Sequence, residues 1–408
     1  MLKLHSLRSF RFNILPHLPE RGVYLSTFVG DNFIIRREEL IKILPEGYEK
    51  ACWETKAMTR KRGLQSEKDL LTLCLFYGYN HSLIEVQSYA KAAGIYDISD
   101  VGFMKRFSRC GNWFDWIIEN LTPSEIMQYS KPEILENYHV LAVDATDITS
   151  GGKANQKWHI HYALDLFTLT CSEFKLTPET TGESLTNFEF KPNDLVLGDR
   201  AYASLKGIEY CQKCGADFVL RVKNKSFKMY TENGEEVTFS DILKDVDGSI
   251  KDIKIFIKNS KKETVPLRIC AVKKDKEALK RTEKKLHRKE SKNQMTYSDD
   301  TKFVHQYFFV ITSLDDTFTA EQILNLYKLR WQVEMVFKRY KSILKLGSMP
   351  TKTYDTSKAW LSCKMLIALL MEKLLSDSDF PPTAPSDEEL VEGNEDCLLL
   401  DLDRYFCF

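Results

Sequence analysis

The run HVLAVDATDI, His139 to Ile148, sets an acid, Asp144, inside a largely apolar and β-branched stretch, just before it turns polar at Asp147. Such residues suit a pleated, half-buried strand. A carboxylate within one is costly to strip of water unless it faces a cation or a hydrogen-bond donor. Two more strand-like runs follow, WHIHYALDLF (Trp158 to Phe167) and LTCSEFKLT (Leu169 to Thr177), with the turn signal Ser150-Gly151-Gly152 between the first two. Together they predict an antiparallel meander. Next come a helix over Glu183 to Phe188, the strand DLVLGD (Asp194 to Asp199), a helix over Ser204 to Cys214 and the strand ADFVLRVK (Ala216 to Lys223). Three strands followed by alternating helix and strand give an α/β outline, an RNase H-like mixed sheet flanked by helices. Asp199 stands just past the end of its strand.

Upstream, residues 1–135 read as helices. Ser66 caps one that continues into LLTLCLFYGY, Ser82 to Ala93 forms another, Gly94 stops it, and Ile98 to Ser108 is helical again. The step from Ala90 to Gly94 fits either a plain helical hairpin or a helix-turn-helix presenting Lys105, Arg106 and Arg109. Downstream, residues 225–303 interrupt the sheet as a β-rich insertion with the strands EEVTFSDIL, KDIKIFIK and TVPLRICAV. The charged helical run DKEALKRTEKKLHRKESKNQ, Asp275 to Gln294, follows them and reads equally as a solvated face or a binding element. The core resumes over 304–348 with the strand HQYFFVITS, and Thr319 and Gln322 form a capping box for one long helix. Residues 349–408 supply a helix over Ser357 to Leu375 and an acidic tail whose composition predicts partial disorder.

The long helix carries LYKLRWQVEMVFKRYK, Leu326 to Lys341. At 100° per residue, Tyr327, Arg330, Glu334, Lys338 and Lys341 share an arc of about 80°, opposite Leu329, Val333, Val336, Tyr340 and Leu344. An ordinary amphipathic face has this pattern too, with Glu334 and Lys338 as an i,i+4 pair. The two strand-end acids favour a different reading. Asp144, Asp199 and Glu334 form an oxygen-ligand set suited to Mg²⁺ or Mn²⁺. Such a triad holds two ions roughly 3.5–4 Å apart, one activating a water or 3′-hydroxyl and one stabilising the leaving oxygen of a phosphodiester. The neighbouring cations would then hold phosphates.

Composition is compatible with this chemistry without demanding it. The 408 residues are 43% hydrophobic, with 58 Lys and Arg balancing 58 Asp and Glu, so net charge gives no support to a nucleic-acid partner. The charge is unevenly spread, basic from Lys251 to Lys292 and acidic from Asp377 to Asp403. Ten scattered cysteines, with Cys211 and Cys214 a lone pair, and no secretory signal predict reduced thiols and a cytoplasmic protein. The apolar run Met365 to Leu370 is too short to span a bilayer, so no membrane partner is expected. His159 and His161 read as strand packing, Asp147 as a residue on the opposite strand face from Asp144. Neither a Walker A sequence nor G-x-S-x-G occurs, which leaves NTP hydrolysis and serine chemistry without a foothold.

The set VDATD, GDRAY and Tyr327-x2-Arg330-x3-Glu334-x6-Lys341 resembles the DDE transposases of bacterial insertion sequences, in particular the Y-R-E-K group, insertion-sequence family 4. The resemblance implies an RNase H-like catalytic domain with a β-rich insertion between the second Asp and the Glu, and an N-terminal helical domain that recognises terminal inverted repeats. It implies Asp144, Asp199 and Glu334 as catalytic ligands of two Mg²⁺ ions, with Mn²⁺ able to substitute. Tyr327, Arg330, Lys338 and Lys341 would grip DNA near the cleavage point, with Arg200, Arg221 and Lys223 as further contacts. The implied activity is cut-and-paste transposition by a homodimer on double-stranded DNA, in the bacterial cytoplasm at the nucleoid: water nicks one strand, the 3′-hydroxyl makes and leaves a hairpin, and the freed end joins target DNA. GDRAY carries Ala201 where Gly is frequent, a change a turn accepts unless φ is positive. No Trp lies between Trp158 and Trp331, so base stacking in the insertion would fall to Phe227, Tyr230, Phe239 or Tyr297.

Overall fold

The structure is a computed structural model that describes residues 41–61, 63–95, 98–121, 131–150, 157–224, 226–351 and 353–376. The acidic tail and the Ser150-Gly-Gly turn beyond its first residue lie outside them. Among the described residues the N-terminal part carries α1 (Tyr48–Glu54), α2 (Glu67–Gly78), α3 (Leu83–Ala92), α4 (Asp100–Phe107) and α5 (Gly111–Glu119). Ser66 and Asp69 form a reciprocal capping box on α2, and Ser82 and Glu85 do the same on α3.

The sheet begins with β1 (His139–Ser150), β2 (Lys157–Asp165) and β3 (Cys171–Pro178), an antiparallel meander as the alternation predicts. It continues through β4 (Asp194–Gly198), α6 (Leu205–Cys214) and β5 (Asp217–Arg221), with β1, β4 and β5 parallel. Then follow β6 (Met229–Tyr230), β7 (Glu236–Val237), α7 (Phe239–Leu243), β8 (Lys251–Lys258), β9 (Thr264–Lys273), α8 (Lys276–Asn293), α9 (Asp299–Val304) and β10 (Tyr307–Thr312). The described residues close with α10 (Ala320–Lys328), α11 (Trp331–Ile343), the short β11 (Ser348–Met349) and α12 (Tyr354–Ser376). All described strands join one mixed sheet in the order β3-β2-β1-β4-β5-β10-β9-β8-β6-β7, with β11 parallel to β1. The strands of the interrupting segment thus extend the central sheet, since β9 pairs with β10 and β8 with β9.

The two faces of this sheet carry separate cores. Val140, Ala142, Leu195 and Leu197 pack with Trp113, Phe103, Val333, Tyr340, Trp360 and Leu366 from the helices on one side. Leu141, Val143, Val196 and Phe218 pack with Ile208 of α6 and with Phe239, Ile255 and Ile269 on the other. By the two-residue period of a strand, Asp144 falls on the face of Val140 and Ala142, beneath α11. Within α12, Lys364 is wholly buried, its Nζ 2.5 Å from both Asn80 Oδ1 and the Leu344 carbonyl. Burial lowers its pKa to about 8. These two attachments tie α12 to the turn after α2 and to the end of α11.

Three sequence expectations need correction. The stretch Glu183 to Phe188 holds only a 3-10 turn at Leu185–Asn187, too short for an α-helix. EEVTFSDIL is a two-residue strand followed by α7, because Thr238 and Asp241 cap one another and start a helix. The single long helix of Leu326 to Lys341 is two helices. At their junction the amides of Leu329, Arg330, Gln332 and Val333 bond three residues back, so the α-ladder tightens between α10 and α11. Among the described residues no helix is long and apolar enough to cross a membrane.

At the mouth of the meander, His139 bridges two acids, with Nε2 2.8 Å from Asp165 Oδ2 and Nδ1 3.0 Å from Asp194 Oδ1. Hydrogen bonds to Asp165 and then Asp194 raise its pKa to about 9. A raised histidine pKa stabilises the fold fully below the unfolded value near 6.5 and loses that contribution as pH rises through about 9. His139→Gln should therefore lower the thermal midpoint at pH 6 and bring it closer to wild type at pH 10. Melts in which the difference does not change with pH would show that the imidazolium contributes nothing.

Candidate active site

β1 ends its registered pairing with β4 at Ala142 and Leu197, so Asp144 and Asp199 lie two residues beyond, side by side at the same edge. Two local features fix Asp199. A Cβ on Gly198 would come within 2.8 Å of Leu220 Cδ2 and 3.1 Å of Tyr202 Cβ, so a larger residue there would have to displace Leu220. Past it, the amide of Ala201 donates to Asp199 Oδ1 at 2.7 Å. Ala201 is not among the residues with positive φ, which is why alanine serves at this turn. On β1 the amide of Ala145 donates to Asp144 Oδ1 at 2.8 Å.

Glu334 reaches the same edge from α11. That helix is fastened by Tyr340, whose hydroxyl donates to Glu372 at 2.6 Å and lies 3.2 Å from the Tyr162 hydroxyl. Tyr162 sits on β2 directly across from Asp144 in register. Glu372 is itself pushed up to about 7 by burial. Arg330, at the tight junction before α11, donates through Nη2 to Glu334 Oε1 at 2.5 Å.

The electrostatics join the three acids. Asp144 is raised from 3.8 to about 7, chiefly by desolvation, with Asp199 and Glu334 pushing the same way against the Ala145 amide and Arg330. Arg330 is the guanidinium acting on Asp144, and its own pKa goes up because Tyr327, Glu334 and Asp144 outweigh its burial. Buried acids need a compensating cation, and in the chain by itself Arg330 supplies it. Among the described residues no three His, Cys, Asp or Glu side chains close into a ready metal cage. With Glu334 turned to Arg330, the triad is an open set. Its chemistry still fits Mg²⁺: three hard oxygen donors, one of them poorly solvated and facing two like charges.

The remaining predicted residues divide into two groups. Tyr327 is buried with its hydroxyl unpartnered, and the Arg330 guanidinium stands 5.8 Å from its ring centroid. Phe308 stands 5.8 Å from the Tyr327 ring, and Arg221 lies 5.3 Å from the Phe308 centroid, so Arg221, at the end of β5, approaches the same corner. Arg200 follows Asp199 directly, and Lys223 is exposed just beyond β5. Lys338 and Lys341 are not drawn into this group; both are exposed further along α11, Lys338 with its Nζ 5.6 Å from the Trp331 ring centroid. The shared wheel arc therefore splits in space, because the 3-10 junction buries Tyr327 and Arg330 while the end of α11 faces solvent.

Sequence reasoning gave no role to Tyr202 or Glu183. Tyr202 is wholly buried, its hydroxyl has no partner, and burial first, then Asp144, Glu183 and Asp199, push its pKa up. It belongs to the quoted GDRAY motif, so its type was visible although its orientation was not. Glu183 is raised by burial and by Asp199 and Asp147, and no spacing pattern pointed to it. Asp147 is exposed and lies 3.5 Å from His159, and His161 is buried against Thr177 at 2.9 Å, both as strand packing predicts. Of the proposed stacking aromatics, Phe239 is buried in the core and has no free face.

A raised carboxyl pKa means the folded chain keeps a proton between pH 3.8 and about 7 that the unfolded chain has lost, so stability falls as pH rises through that window. Without divalent ions, Asp144→Asn should be more stable than wild type at pH 8, by up to about 4 kcal/mol, and match it near pH 4. Chemical denaturation in EDTA at several pH values measures this, and a gap independent of pH would contradict it.

Comparison with known proteins supplies the family. Residues 136–371 match the family model described as "Transposase DDE domain". The InsL protein of insertion sequence element IS186A from Escherichia coli (strain K12) is 26% identical over 357 residues, 85% of this chain and 95% of the relative. The transposase of IS421 from Escherichia coli is 26% identical over 358 residues with the same coverage. That of IS231F from Bacillus thuringiensis subsp. israelensis is 25% identical over 381 residues, 82% of this chain and 78% of the relative. With the domain match spanning more than half its length, the chain belongs to the DDE-domain transposase family.

Proposed function

We propose that this transposase excises and inserts an insertion sequence by a cut-and-paste reaction, with Asp144, Asp199 and Glu334 holding two Mg²⁺ ions that Mn²⁺ can replace. The observation that supports it most is the Asp144 carboxyl, desolvated and facing two further acids, with Arg330 its compensating cation. Ions bound there would acidify a water or a 3′-hydroxyl and neutralise charge on the scissile phosphodiester. Arg330 would stand between acids and substrate: its Nε is buried without a partner, as is the Tyr327 hydroxyl, and both are donors suited to a phosphate oxygen. Arg200, Arg221 and Lys223 lie along the same corner as further phosphate contacts, with Lys338 and Lys341 extending the grip along α11.

In this reading residues 1–135 recognise the terminal inverted repeats, 136–224 and 304–348 form the catalytic core, and 225–303 are an insertion that also touches DNA. Residues 349–408 brace the core through α12. Two copies act together on paired ends of the element, at the bacterial nucleoid. A nuclease lacking strand transfer, and a DNA-binding descendant without chemistry, are the rival outcomes.

A supercoiled donor plasmid carrying the element's ends separates them. Excision with joining to a target plasmid is expected; cleavage alone indicates a nuclease, and gel retention without products indicates a binding protein. Glu334→Gln should abolish cleavage in Mg²⁺ while end binding stays within severalfold, and undiminished cleavage would remove Glu334 from the site. Arg330→Ala should weaken end binding and reduce the slope of log K against log salt by about 0.9, the value of one phosphate contact. An unaltered slope would mean that the arginine meets no phosphate.

A further inference from the structure

The helix α8 is built unlike the others. Over its 18 residues only Leu286 is buried. Ala278, Leu279, Thr282, Leu286 and Glu290 make its inner side, which is pinned by Lys274 Nζ on Thr282 Oγ1 at 3.0 Å and by Glu290 receiving the Tyr297 amide at 2.9 Å. At 100° per residue, Lys276, Lys280, Arg281, Lys284, Lys285, Arg288 and Lys292 all fall within the opposite half-turn, where Glu277 is the lone acid. Lys276 to Lys292 spans about 24 Å of helix axis, the length of roughly seven base-pair steps. Apart from the Glu277–Arg281 pair at 3.9 Å, the outward cations stand at i,i+4 to one another, which opposes the helix.

The inner end of this helix leads back to the catalytic edge. His305 is held down to about 4 by burial and then by Arg200, Lys274, Arg221 and Lys289. Arg200 adjoins Asp199 and Lys289 belongs to α8, so cations from the acids' edge and from the helix act on the same half-buried imidazole. We propose that the outward half of α8 is a second DNA-backbone surface, which holds a duplex segment leading away from the carboxylates through phosphate contacts, without reading sequence. Double-stranded DNA is the occupant that matches, because a row of cations of this length and density has its complement in a phosphate chain rather than in a mixed-charge protein surface. The inference rests on the reading of the chain as a DNA-processing enzyme.

The test compares the full chain with the variant Lys280→Gln, Lys284→Gln, Arg288→Gln, Lys292→Gln, measuring duplex affinity from low to high salt. All four positions are exposed. The variant should lose about tenfold or more in affinity at moderate salt, and its salt slope should shrink by about 2 to 4. An unchanged slope, with wild type still salt-dependent, would overturn the proposal for α8 and leave the DNA reading intact. Wild type showing no salt-dependent duplex binding would sink both. On the unmodified chain, duplex should slow acetylation of Lys280, Lys284 and Lys292, read by mass spectrometry, more than that of Lys213, which is exposed at the end of α6 and is given no DNA contact. Equal rates with and without duplex would likewise overturn the proposal.

Discussion

The arrangement turns on a carboxylate, Asp144, held in a place where it ionises at a cost. It sits on the covered face of a central strand, raised to about 7, with Asp199 on the neighbouring strand and Glu334 on the helix above it. A purely structural core has no use for three mutually repelling acids, and packed apolar side chains of similar size would be more stable there. Arg330 balances part of the repulsion and is itself fixed by the junction between α10 and α11. The elements around it hold this grouping together: β1 and β4 bring the two aspartates to one edge, and the Tyr162–Tyr340–Glu372 contacts press α11 onto the sheet.

The same grouping explains why the surrounding polar atoms are left incomplete. The Tyr327 and Tyr202 hydroxyls and the Arg330 Nε are buried without a partner. Unpaired donors of this kind cost free energy in a closed core and are retained where a ligand completes them. Around an acid cluster they suit a substrate that brings its own oxygens, and a DNA backbone does so at regular intervals. The sheet extends the same logic outward, since β9 and β8 continue it beyond β10 and project α8, with its outward cations, from the same body.

Much of this was legible in the sequence for specific reasons. Period-two alternation in HVLAVDATDI and WHIHYALDLF fixed the meander, and an acid inside the first run marked the site without any knowledge of its neighbours. The long-range joining was not legible. Nothing local in TVPLRICAV says that its partner is HQYFFVITS, so the interrupting strands read as a separate unit although they lengthen the central sheet. The wheel treated Tyr327 to Lys341 as one helix, and a 3-10 junction leaves no residue signature in Leu329-Arg330-Trp331, so the burial of Arg330 and the exposure of Lys338 and Lys341 could not be separated. Glu183 escaped because a lone acid in a loop carries no pattern.

The central claim is that these acids share divalent ions. Its most direct measurement is anomalous diffraction at the manganese edge from crystals of the chain grown with Mn²⁺ and an end duplex. The account predicts manganese peaks within about 2.0–2.3 Å of carboxylate oxygens of both Asp144 and Asp199, with Glu334 released from Arg330 to join them. Manganese found only at surface acids, with Glu334 still held by Arg330 and DNA lying beside them, would contradict it.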